Sequence, residues 1–166
     1  MMYECRPATM DDLERIWAKN IRQHPEDPRW IRWREEYIGY NRSGQALSCV
    51  VVCDGDPVGE GTLLFAPECG AVAGRTVLAD GASVANVNAL RIEKEHEGQG
   101  YISAMMRLME AEAVRRGYRR LSIGVEEKEK RNQAIYRHWG FDRLILTDVE
   151  DGETVLYFEK NITALR

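Results

Sequence analysis

The chain has 166 residues, 44% hydrophobic and 30% charged, with a formal net charge of −4. That length suits one domain with a core of its own, and no apolar run reaches the length of a membrane span. Acidic residues outnumber basic ones by 27 to 23, which argues against a large nucleic-acid surface and leaves an amine-bearing partner open.

The opening Met1-Met2-Tyr3-Glu4-Cys5-Arg6 lacks the apolar stretch of a signal peptide, so the cytoplasm is the expected location. Cys5, Cys49, Cys53 and Cys69 form no CxxC pair and no metal-ligand spacing with histidine. They read as small hydrophobes in a reducing compartment, and no metal is expected.

Tyr3 to Arg6 reads as a strand. Thr9 then caps a helix with Asp11 and Asp12 in its first turn and Leu13, Ile16, Trp17 and Ile21 on one face, stopped by Pro25. A second helix follows Pro28, carries Trp30, Trp33 and Tyr37 at i, i+3, i+7, and ends between Gly39 and Gly44. Leu47 to Cys53 and Pro57 to Phe65 form a hairpin around Asp54-Gly55-Asp56. Residues 66 to 84 are rich in Gly and Ala, with Arg75 to Leu78 as a candidate short strand. Val84 to Glu93 reads as a central strand. After a glycine loop comes a helix with Ile102, Met105, Met106, Met109 and Ala113 on one stripe and Gly117 at its end. Leu121, Ile123 and Val125 mark a buried strand. Glu127 to Trp139 is read as a helix, and Phe141 to Thr147 and Thr154 to Glu159 as strands around Asp151-Gly152. The strand, helix, strand run from 84 to 125 requires a parallel crossover, and the hairpins make the sheet mixed.

The loop Glu97-Gly98-Gln99-Gly100 sits between a strand and a helix. Glycines there let backbone N–H groups approach an anion closely, and the helix start aims free amides at the same point. Glycines also simply end strands and begin helices, so spacing alone leaves phosphate binding and punctuation both open. The loop has neither the Walker pattern nor the three-glycine dinucleotide fingerprint.

Leu90-Arg91-Ile92-Glu93-Lys94-Glu95-His96-Glu97-Gly98-Gln99-Gly100 resembles the end of strand four and the coenzyme A loop of the GNAT acetyltransferase superfamily, whose pattern is Gln/Arg-x-x-Gly-x-Gly/Ala. Cys5-Arg6-Pro7-Ala8-Thr9 with Asp12-Leu13 is similar to the family's opening, Leu121-x-Ile123-x-Val125 to its fifth strand, and Tyr136-x-x-x-Gly140-Phe141 to its closing signature. Three positions depart from the pattern: Glu97 stands for Gln/Arg, Ile102 for the last Gly/Ala, and Glu129 for an Asn that often follows strand five. A carboxylate facing a pyrophosphate would repel it. Glu97 is therefore read as turned away, toward Lys94 or an arginine, with its backbone N–H in the binding role.

The resemblance implies a single α/β domain over residues 1–166. Its mixed, mostly antiparallel sheet would hold one parallel crossover and about four helices. It implies an acyl-CoA-dependent N-acetyltransferase that moves an acetyl group from acetyl-CoA to a primary amine of a small molecule or peptide, by direct attack in a ternary complex. Cofactor contacts would come from Leu90, Arg91, Ile92, Glu97, Gly98, Gln99, Gly100, Ile102, Ser103 and Asn132. Strands four and five would splay, so the pantetheine arm could bond backbone near Leu90, Arg91 and Ile92. Tyr136 matches the family's general acid, although a helix tyrosine packed on the core is the plain alternative. His138, two residues on, is read as structural or exposed. Relatives often carry a basic glutamate early in strand four, where this chain has Asn86. Glu126, at the end of strand five, is the replacement candidate, against a plain role as a solvated charge. Trp30, Trp33, Tyr37 and Asn86 would line the acceptor pocket, although an aromatic stripe at that spacing also serves as core. A homodimer is compatible with the resemblance; nucleic-acid and membrane partners are not implied. Two other readings are a non-catalytic acyl-CoA-binding module, suggested by Glu97, Asn86 and Glu129, and a scaffold that uses the aromatic helix.

Overall fold

The computed structural model describes residues 2–163. Its strands are β1 (Tyr3–Pro7), β2 (Ala46–Cys53), β3 (Asp56–Leu64), β4 (Val84–Ile92), β5 (Arg120–Glu126), β6 (Arg143–Glu150) and β7 (Glu153–Asn161). The α-helices are α1 (Met10–Gln23), α2 (Arg29–Ser43), α3 (Tyr101–Arg115) and α4 (Lys130–His138). The seven strands form a sheet in the order β1-β2-β3-β4-β5-β7-β6. The β4–β5 pair, joined through α3, is parallel, while β1–β2, β5–β7 and β6–β7 run antiparallel. The expected element order and mixed sheet are both present. No described helix is long and apolar enough to cross a membrane.

By its contacts the chain divides into two compact units, one running to Leu63 and including Ala89–Met109, the other comprising Leu64–Asn88 and the residues from Glu110 on. In the first, Thr9 and Asp12 cap α1 reciprocally: Asp12 N–H donates to Thr9 Oγ1 at 3.1 Å and Thr9 N–H to Asp12 Oδ2 at 2.8 Å. Leu13, Ile16 and Trp17 are buried, as the helical spacing requires. The β2–β3 turn is Asp54-Gly55, with φ of 49° and 82°, the left-handed pair that matches hairpin twist. Both strands are buried along nearly their whole length. Cys49, Cys53 and Cys69 are buried and Cys5 is half-buried.

In the second unit, the expected strand at Arg75–Leu78 is absent. Successive turns replace it: Arg75 N–H donates to Val72 O at 3.0 Å and Leu78 N–H to Arg75 O at 2.9 Å. The Arg75 guanidinium fixes these turns through Val72 O, Ala71 O, Asp148, Glu150 and the Tyr157 hydroxyl. The helix expected from Glu127 starts only at Lys130. Glu127 N–H donates to Thr154 O at 2.8 Å, which prolongs the β5–β7 pairing and holds this residue out of the helix. Phe141 likewise belongs to the end of α4 and not to β6. Its N–H donates to Tyr136 O at 3.0 Å past a left-handed Gly140 (φ 102°), the bonding of a Schellman stop.

Candidate active site

The glycine loop is built entirely within the first unit. A single 3₁₀ turn, Lys94–His96, follows β4. Gly98 and Gly100 are both left-handed, with φ of 73° and 85°, a conformation costly for any residue with a Cβ. Gln99 between them lacks a positive φ, an alternation typical of anion-binding nests, and α3 begins directly afterwards at Tyr101. The first helical amides have no partner inside a helix. Among the described residues the N–H groups of Gly98, Gln99, Gly100, Tyr101, Ile102 and Ser103 donate to nothing. Ala104 N–H is the first to be taken up, by Gly100 O at 3.0 Å.

Glu97 differs from its expected role. Its N–H donates to Lys94 O at 3.2 Å, closing the 3₁₀ turn, so the free amides begin one residue later. Its exposed side chain makes no ion pair with Lys94 or an arginine among the described residues. Tyr3 of β1 holds the loop on both sides: its hydroxyl lies 2.9 Å from His96 Nδ1 and its ring stacks at 4.2 Å on Tyr101. The side-chain ligand atoms of Glu93, Glu95 and His96 lie within 4.8 Å of one another, but Glu93 bonds Lys19 Nζ at 2.9 Å and His96 is committed to Tyr3.

The β4–β5 ladder covers Val84–Val87 against Arg120–Ile123. Two residues later Ala89 takes a left-handed φ of 53° inside β4, rare for alanine and a sharp bend in a strand. Beyond the bend, Leu90, Arg91 and Ile92 are half-buried. Glu93 N–H rejoins β3 through Val58 O at 2.8 Å.

Arg91 points to the α1–α2 face. Its NH1 donates to Glu60 Oε2 at 3.0 Å, and Asn20 Nδ2 donates to the same oxygen at 2.7 Å. Glu60 is fully buried on β3, and this burial pushes its carboxyl up although Arg91 and Asn20 pull the other way. The residue escaped the sequence reading. Its one signal was Gly59-Glu60-Gly61, an acid between glycines inside a strand. Gly61, facing the opposite side, leaves room for Leu90 and Met109: a Cβ there would lie 2.9 Å from Leu90 Cδ1.

Of the aromatic stripe, Tyr37 is buried against Trp17 at 5.4 Å, while Trp30 and Trp33 are half-exposed and meet edge to face at 5.1 Å. His24 stacks on Trp30 at 3.8 Å, and Arg29 lies over Trp33 at 5.2 Å.

In the second unit Tyr136 sits half-buried on α4, stacked on Trp139 at 5.7 Å. Its hydroxyl has no hydrogen-bond partner among the described residues. Burial, and then the nearby charge of Glu129, push its phenol above the ordinary 10, which keeps it protonated at neutral pH. His138 is exposed, as is Asn132 in the first turn of α4. Glu126 ends β5 half-exposed, 3.8 Å from Lys128 Nζ. Asn86 is buried in a closed chain: Asn88 Nδ2 donates to its Oδ1 at 3.2 Å, its Nδ2 to Ser122 Oγ at 3.0 Å, and Ser122 Oγ to Leu78 O at 2.7 Å.

The model of the Acetyltransferase (GNAT) family matches residues 7–141. Among solved structures, an N-acetyltransferase from Staphylococcus aureus Mu50 superposes with a TM-score of 0.73 at 15% identity, over 98% of this chain and 99% of that one. The PaiA N-acetyltransferase from Thermoplasma acidophilum, solved with coenzyme A, gives 0.66 at 17% identity over 97% and 99%. The protein yncA from Salmonella typhimurium, solved with its cofactor acetyl-CoA, gives 0.70 at 13% identity over 98% and 95%. Identities this low speak for the fold alone, and no curated protein sequence matches. The family match spans most of the chain and includes the glycine loop and Tyr136, and on that ground the chain belongs to the GNAT acetyltransferase family.

Proposed function

We propose that the chain transfers an acetyl group from acetyl-CoA to a primary amine, which attacks directly in a ternary complex. The observation that carries this reading is the run of unpartnered amides from Gly98 to Ser103 behind two left-handed glycines. A diphosphate supplies the acceptors such donors lack. Gly98, Gln99 and Gly100 would hold it with Ile102 and Ser103, and the Ser103 hydroxyl would add a bond. Glu97 serves as the hinge of the loop, since its own N–H is occupied. Leu90, Arg91 and Ile92 would offer backbone to the pantetheine arm, and Asn132 a side-chain contact.

Acetyl-CoA supplies the activated thioester; the protein supplies the proton handling. Tyr136 is the acid that protonates the departing thiolate, a role suited to a phenol with no competing hydrogen bond. Glu126 is the candidate base for the acceptor ammonium. Trp30 and Trp33 would border the acceptor, while buried Tyr37 holds α2 in place and buried Asn86 holds β4. The acceptor is a small molecule or peptide amine.

Two measurements test the proposal. Acetyl-CoA at about 100 times its dissociation constant should stabilise the fold by about 2.7 kcal/mol, a rise in melting temperature of roughly 5–11 °C for a domain of this size. Free-thiol release should then depend on added amine. Stabilisation without amine-dependent release would favour a binding module instead; no stabilisation at millimolar acetyl-CoA would refute both.

A further inference from the structure

Arg91 is mounted more firmly than its backbone role requires. Its guanidinium carbon lies 4.9 Å from the centre of the Trp30 ring and 5.4 Å from that of Trp17, so two indoles hold it by cation–π contact. Glu60, itself fixed by Asn20, anchors NH1 from below. Trp30 is stacked in turn on His24 with ring planes 6° apart. Three side chains, backed by Asn20 and His24, thus hold one arginine at the bend-side end of β4.

Only NH1 is occupied. Nε and NH2 make no hydrogen bond among the described residues, and 34% of the side chain remains exposed. Beside it, Trp17 is 1% exposed and its Nε1 is buried without a partner. A buried indole N–H normally finds an acceptor. The two groups lack the same thing, a hydrogen-bond acceptor, and Arg91 belongs to the stretch of β4 that the proposed function offers to the acyl donor. An acceptor-only, planar anion matches the free edge of a guanidinium in two parallel bonds.

We propose that Arg91 recognises the amine substrate, and that this substrate carries a carboxylate which binds the free Nε–NH2 edge while its amine faces the acyl donor. The inference rests on the acetyltransferase reading above. Glu60 acts as a positioning residue: it never touches the substrate but sets the direction in which the guanidinium faces. Asn20 and the two tryptophans keep that direction fixed before substrate arrives, so little ordering remains to oppose binding.

The test uses the full chain, acetyl-CoA and matched acceptors: straight-chain ω-amino acids against alkylamines of the same length, and L-amino acids against their carboxamides. The carboxylate-bearing member should be favoured in kcat/KM by roughly 10- to 100-fold, the worth of hydrogen bonds between charged groups, and mainly through KM. Arg91→Gln should collapse that ratio toward one. Glu60→Gln should raise KM for the carboxylate acceptors with a smaller change in kcat, whereas a merely structural role would lower the amount of active enzyme and leave KM alone. The wild-type ratio decides the matter even if a variant fails to fold. Turnover without preference, or a preference that survives Arg91→Gln, overturns this inference alone. No thiol release with any amine overturns it together with the acetyltransferase reading.

Discussion

Replacing Gly100 by alanine isolates the contribution of loop geometry to binding. A Cβ at Gly100 would meet nothing within 4 Å, so the substitution brings no clash. Its cost is the φ of 85°, about 1–2 kcal/mol for a residue with a side chain. Relaxing that strain turns the amides at the start of α3 away from the diphosphate. If binding must restore the left-handed geometry, affinity for CoA falls by roughly 5- to 30-fold. Gly44→Ala is the matched control: φ is 80°, a Cβ again meets nothing within 4 Å, and the site is the end of α2. Isothermal titration with CoA, run beside urea unfolding, should show both variants destabilised to a similar extent and only Gly100→Ala weakened in binding. Equal CoA affinity in the two variants would refute the role assigned to the loop.

Tyr136→Phe should lower kcat by roughly 100-fold or more with CoA affinity unchanged. The phenol acts in its protonated form and burial raises it, so wild-type activity should persist to above pH 10 before it is lost; turnover unaltered across the pH range would remove Tyr136 from the mechanism. At Asp80, burial alone would raise the carboxyl. Bonds from the Ser83 hydroxyl and the amides of Val84, Ser83 and Ala82 instead hold it well below the ordinary 3.8. Its stabilisation is therefore full above pH 3.8 and disappears as pH falls through the lower folded value. Asp80→Ala should cost about 2 kcal/mol at neutral pH and flatten the acid limb of the stability curve in urea melts; an unchanged limb would contradict this. Gly124→Ala would set a Cβ 2.6 Å from Tyr157 Cε1, on a ring pinned by Arg75 and Glu150. Overpacking there should cost about 1–3 kcal/mol, partly recovered by adding Tyr157→Leu, and an unmoved unfolding midpoint would count against it.

What could be read from the sequence was what local chemistry decides. Thr9 with Asp12 caps a helix wherever an amphipathic stretch follows, and Asp54-Gly55 and Asp151-Gly152 take hairpin geometry with little help from elsewhere. Gly140 ends a helix by bonds inside one turn. The parallel crossover followed from strand, helix and strand in succession.

What escaped depends on partners distant in the chain. Arg75 looked like part of a short strand because β-favouring Thr76, Val77 and Leu78 follow it, yet its conformation is set by Asp148 and Glu150 on β6. Glu127 is followed by helix-favouring Lys128, Glu129 and Lys130, but Thr154 claims its amide. Ala89 bends β4 without a glycine to mark the place. Glu60 is an acid in a buried strand, and only Asn20 and Arg91, 40 and 31 residues away, make that burial tolerable. At the loop itself, the glycines announced the conformation, but the 3₁₀ turn that consumes the Glu97 amide could not be foreseen from spacing.

The central claim, acyl transfer to an amine, is tested most directly by following free thiol from acetyl-CoA as one amine after another is added. Saturable release that needs both the amine and Tyr136 is the predicted result. Acetyl-CoA bound at the loop, with no release above the rate without amine for any acceptor, would contradict it.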